Sequence, residues 1–159
     1  MQMHKRIIDP LEPALWLDAL RKLCRRVSTD DSGIEELLRH AFHLLQLSPA
    51  PLRGVLPHEL DEASFEHLLE CRAFESAALA LMGAYMTLEL TRRPAQAFIA
   101  KAWLSEDACS ISVTSPCAAS ALLGAWCSAL FGLSAPKSAT PRRDSPEALF
   151  SLLPLHSEH

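Results

Sequence analysis

From Leu11 to Val27 apolar residues recur at helical spacing, at Leu15, Trp16, Ala19, Leu20 and Leu23, and the stretch ends on Arg25 and Arg26. Cations there meet the negative end of a helix dipole, so a first helix is expected. Ser32 with Glu35 three residues on has the form of a capping box. A second helix should therefore run from about Ser32 to Leu47, with the stripe Ile34, Leu37, Leu38, Ala41, Leu44 and Leu45 and with Phe42 on its flank. Helices joined by so short a connection usually pack antiparallel. Pro49, Pro51, Gly54 and Pro57 then make 48 to 58 an internal boundary. Beyond it, Asp61 or Ser64 can cap a third helical segment through Phe65, Leu68, Leu69, Phe74, Ala77, Ala78, Leu81 and Met82. Gly83 is its expected C-cap, with a bend allowed between Cys71 and Ala73.

At Ala84 the period changes to two. Tyr85, Thr87, Glu89 and Thr91 alternate with Met86, Leu88 and Leu90, as in a half-buried strand. Arg92 to Gln96 is a turn, and in the next strand Phe98, Ala100, Ala102 and Leu104 alternate with Ile99, Lys101 and Trp103. A third strand is expected over Ala108 to Thr114, with Cys109, Ile111 and Val113 facing one way. Ser115 caps a last long helix with Pro116 at its first position, running to about Phe131 before Gly132. The tail opens as a linker and closes on a short amphipathic helix from Ser145 to Leu153. The expected fold is thus α+β. An N-terminal helical hairpin (1–57) packs on an α-β-β-β-α unit with a three-stranded antiparallel meander (58–133), followed by a linker and short C-terminal helix (134–159).

Composition narrows the function. An apolar fraction of 49% with 21% charged residues belongs to a folded globule. The net charge of −4 is not segregated: residues 1 to 61 carry 8 Lys and Arg against 9 Asp and Glu, and residues 62 to 133 carry 4 against 7. Without a clustered positive field, neither nucleic acid nor an anionic membrane is an expected partner. The apolar run from Pro116 to Leu133 approaches the length of a membrane span, but its small residues fit a close-packed helix on a sheet. The N-terminus offers no signal-like apolar stretch, and five cysteines, Cys24, Cys71, Cys109, Cys117 and Cys127, form an odd set. A cytoplasmic chain with reduced thiols is expected.

Phe74-Glu75-Ser76-Ala77-Ala78-Leu79, a hairpin, and Ser115 to Leu123 resemble the first and last helices of small phage and prophage ABA-sandwich proteins. The resemblance covers about 70 residues and implies a phage-derived origin but little about activity. The order of elements is also similar to that of a double-stranded RNA-binding domain. Such a domain needs basic residues at the start of its final helix, where this chain has Ser115, Pro116, Cys117, Ala118 and Ala119. RNA binding is therefore not expected.

Few residues carry chemistry. His67 and Cys71 share a helix face and supply half of a zinc site, but no second pair at ligand spacing follows. Glu36, His40 and His43 can cluster on the second helix, though such trios are usually a solvated face. Cys117, at the start of a helix, is the thiol best placed for activation, yet no local base accompanies it. Nucleophile-elbow, phosphate-loop and dinucleotide motifs do not occur. No cofactor, metal or catalytic residue is expected. Arg21, Lys22, Arg25 and Arg26 could meet an acidic partner, and Leu149, Leu152 and Leu153 have the spacing of a helix that docks in a groove, on this chain or another copy. The expectation is a non-catalytic protein-interaction or regulatory protein, self-associating as a homodimer. The alternative is a small enzyme or ligand binder with a pocket between hairpin and sheet, using His40, His43, His67 or a cysteine.

Overall fold

The computed structural model describes residues 9–29, 33–104 and 111–134. Helices α1 (Pro13–Thr29) and α2 (Ile34–Gln46) form the hairpin, and a backbone bond from Leu11 N–H to the Leu47 carbonyl (2.9 Å) ties its two ends. Trp16, Leu20, Leu23 and Val27 are the buried stripe of α1. Leu15, expected on that stripe, is instead 59% exposed, because it falls beside the covered arc rather than on it. The N-cap of α2 is Gly33, which has no side chain to make a capping bond, although its carbonyl accepts from the Glu36 (3.0 Å) and Leu37 (3.2 Å) amides. Ser32, expected in that role, lies outside the described residues.

The long third segment resolves into two helices, α3 (Glu62–Glu70) and α4 (Phe74–Met82). Asp61 caps α3 by accepting from the Ser64 amide at 2.9 Å. At the other end, Ala73 N–H bonds the Leu68 carbonyl (2.8 Å) and Arg72 N–H the Leu69 carbonyl (2.9 Å), while Arg72 takes a left-handed φ of 56°. This is a Schellman termination with arginine where glycine is usual. It turns the chain sharply although neither Gly nor Pro marks the spot. Gly83, with φ 66°, ends α4 as expected and lies so close to Pro57 that a Cβ would stand 3.0 Å from it.

Strands β1 (Thr87–Arg92), β2 (Phe98–Trp103) and β3 (Val113–Ser115) form an antiparallel meander in the order β1-β2-β3. The register pairs Leu90 with Ala100 and Ala100 with Val113. The described part of β3 is shorter than expected. Ile111 precedes it and is exposed, and Cys109 lies outside the described residues. Helix α5 (Ala118–Ser134) begins two residues after Pro116, with the Cys117 carbonyl accepting its first bond from the Ala121 amide (3.0 Å), and it continues through Gly132.

Helix α5 is the centre of the core. It lies on β2 and β3 with one face and against α1 and α4 with the others, so Ala121 to Cys127 are buried all round. A helix apolar on every side belongs in the middle of a layered fold. Among the described residues, no helix is long and apolar enough to cross a membrane. Two indoles fasten the layers. Trp126 Nε1 donates to the Leu81 carbonyl in the last turn of α4 (3.0 Å), and Trp16 Nε1 to the Leu44 carbonyl in the last turn of α2 (2.8 Å). Each satisfies a carbonyl that its own helix leaves without a partner. Phe42 of α2 stacks on Phe65 of α3 at 4.7 Å between centroids, so hairpin and later helices share one continuous core.

Candidate interaction surface

The chemistry-bearing residues are scattered. His67 and Cys71 do meet, with Cys71 Sγ 3.7 Å from His67 Nε2 on the exposed side of α3. Among the described residues, no group of three or more His, Cys, Asp or Glu could hold a metal ion.

The trio on α2 gains a member from α1. Arg26 donates to Glu36 Oε1 at 2.6 Å and stands 3.2 Å from His40 Nδ1. Burial, then the Arg26 charge and that of His43, hold His40 below the ordinary histidine value against the opposing pull of Glu36. The cationic run of α1 is thus partly spent within the fold, since Lys22 also pairs with Asp18 at 2.9 Å. A second bridge, Arg39 between Glu35 and Glu66 at 2.9 Å each, ties α2 to α3.

Cys117 is exposed, its amide bonding Ser115 Oγ at 3.2 Å. It stands at the boundary of α5 rather than in its first turn. It shares a shallow hollow of about 240 Å³ with Arg72, Glu75 and Ser76, and no histidine lines it. Cys127, by contrast, is fully buried against Cys24. Burial and the neighbouring Cys24 thiol push its own thiol well above the usual range. Sequence spacing could not show this meeting, because it depends on how α5 lies across α1. The space between hairpin and sheet, where a ligand pocket was the alternative expectation, is occupied by α5. Leu149, Leu152 and Leu153 lie outside the described residues.

The sheet supplies a different kind of surface. Its outer face carries Glu89, Thr91, Ile99, Lys101 and Thr114 around a polar concavity of about 380 Å³, with Lys101 Nζ 3.3 Å from Glu89 Oε2. Its inner face is covered unequally. Met86 is buried and Leu88 half-buried, while Leu90 is 44% exposed although its cross-strand neighbour Ala100 is fully buried. The cause is the placement of α5, which packs over β2 and β3 and leaves the distal half of β1 overhanging.

The backbone of β1 is open as well. Arg93 N–H bonds the Ala97 carbonyl (2.8 Å), which makes that pair a hydrogen-bonded one in the hairpin ladder. Antiparallel ladders alternate, so Glu89 and Thr91 direct their N–H and C=O groups to β2 while Leu88, Leu90 and Arg92 direct theirs outward. Among the described residues no strand pairs with that outer edge. Arg92 lies over the Phe98 ring at 5.9 Å, which holds its side chain across the inner face. The signal for this surface was present in Thr87-Leu-Glu-Leu-Thr-Arg92, the first strand of a meander, but the uncovered Leu90 depends on where α5 sits.

No protein-family model matches this chain, and no curated protein and no solved structure matches it significantly.

Proposed function

We propose that this chain is a non-catalytic protein-interaction or regulatory protein whose contact surface is the outer edge of β1 together with Leu90. What supports the reading is one observation: a six-residue strand whose outer edge pairs with no strand among the described residues, with outward backbone groups on Leu88, Leu90 and Arg92 and an exposed apolar side chain on the middle one, Leu90. An open edge of that kind is a template for strand addition, in which main-chain bonds supply affinity and alternate side chains supply selectivity. The C-terminal segment bearing Leu149, Leu152 and Leu153 is proposed as a second docking element on the strength of its sequence alone.

A photoreactive amino acid placed at Leu90 tests this in the cells from which the chain derives. Discrete protein adducts are expected at position 90 and not at Leu15 or Leu79, which are as exposed but lie on helices. Equal labelling at all three positions, or none at Leu90, would overturn the proposal.

A further inference from the structure

Resting on the proposed use of the β1 edge, we infer that the partner which adds to it is a second copy of this chain, antiparallel, with Leu90 facing Leu90 across a two-fold axis.

The choice follows from the strand's own residues. A two-fold axis normal to the sheet pairs residues whose numbers have a constant even sum. It also keeps both α5 layers on the same side, since directly opposed residues point to one face. Only two registers keep five residues of β1 paired within the strand. One sets Glu89 against Glu89, and like charges directly opposed destabilise a ladder. The other sets Leu90 against Leu90, Leu88 against Arg92 and Glu89 against Thr91. In it, Leu88, Leu90 and Arg92 meet the same residues of the copy, which are the ones whose backbone groups point outward. Every free N–H and C=O from Leu88 to Arg92 then gains a partner.

The side chains agree with the backbone. On the inner face, the two Leu90 side chains close over each other in the strip that neither α5 covers. On the outer face, Glu89 faces Thr91 of the copy and has Arg93 and Glu89 of the copy on its two diagonals. The like-charge diagonal is longer than the direct opposition of the other register, and Lys101, 3.3 Å from Glu89 Oε2, offsets each charge. The result is a continuous six-stranded sheet, and each copy's exposed leucine is covered by an identical one.

The test measures the mass of the full chain in solution by light scattering over a range of concentrations, with three variants. The expected mass at high concentration is twice 17.5 kDa. Leu90→Pro removes an N–H that points outward, where an edge strand tolerates proline, and so leaves the β1–β2 ladder in place. Leu90→Lys sets two charges against each other at the axis and keeps the N–H. Both should return the mass to 17.5 kDa with the circular dichroism unchanged. Leu90→Cys should be joined position 90 to position 90 by a short thiol-to-thiol crosslinker, identified by mass spectrometry, since the Cβ atoms of a hydrogen-bonded antiparallel pair stand too far apart for an unstrained disulfide. A chain that stays at 17.5 kDa throughout overturns the inference. So does a dimer that survives both Leu90→Pro and Leu90→Lys, or one whose Leu90→Cys form does not link. A monomer that still yields adducts at Leu90 to another protein removes the self-pairing alone and leaves the proposed surface standing.

Discussion

Gly124 of α5 meets Val113 of β3 so closely that a Cβ on the glycine would stand 2.7 Å from Val113 Cγ1. The helix therefore rides low over the β3 side of the sheet. That placement covers Ala100 and leaves Leu90 of β1 beyond the helix's reach.

Gly124→Ala should consequently destabilise the fold, although alanine is the better helix former. Overpacking of this kind costs about 1–3 kcal/mol, because Val113 Cγ1 or the helix itself must shift to admit the new methyl group. Denaturant unfolding should show a lower midpoint. Adding Val113→Ala should recover part of the loss, so that the two substitutions together cost less than the sum of each alone.

Trp126→Phe keeps most of the buried ring but deprives the Leu81 carbonyl of its donor. An acceptor orphaned in the core costs about 1–3 kcal/mol, and the same range applies to Trp16→Phe at the Leu44 carbonyl. Unfolding free energies of the two variants check this. Wild-type stability in either one would mean that water or another donor replaces the indole.

How legible was this in the sequence? The helices α1 and α2 and the alternating strands of the meander followed from spacing, because each buries one face and repeats its own period; α5, buried all round, was marked instead by Ser115-Pro116 and the charge-free run of small residues behind it. A bend between Cys71 and Ala73 was legible too, but not that it is a complete break into two helices, because a left-handed arginine at 72 satisfies the end of α3 through backbone bonds that no glycine announces. Leu15 was misplaced because a helical stripe fixes the buried arc only to within about one residue's rotation. The candidate surface was half visible. Alternation showed Leu88 and Leu90 on one face, but only the tertiary placement of α5 decides that the first is half-buried and the second exposed.

Two histidines make stability depend on pH near neutrality. Burial and the Arg26 charge lower the His40 value, while burial and Arg53 lower that of His58, whose Nε2 lies 3.1 Å from Ser48 Oγ. Because the folded values lie below the unfolded value of about 6.5, the unfolded chain takes up protons first as pH falls. Stability is thus fully present above that pH and declines as pH drops from there toward the folded values. His40→Gln with His58→Gln should flatten this slope in unfolding measurements made at a series of pH values. The carboxylates Glu66 and Asp61, lowered by Arg39 and by the Ser64 amide respectively, add a separate loss at more acid pH, as they are protonated.

Engagement of the outer edge of β1 can be read residue by residue from amide hydrogen exchange. In the isolated hairpin ladder Thr87, Glu89, Thr91 and Arg93 are the residues held by the facing strand, so protection alternates along β1. In the paired protein Leu88, Leu90 and Arg92 should become protected as well, and should lose that protection on dilution while Glu89 and Thr91 keep theirs. If Leu88, Leu90 and Arg92 exchange as freely as unstructured amides at every concentration, and also with any protein that crosslinks to Leu90 present, then β1 is not the interface.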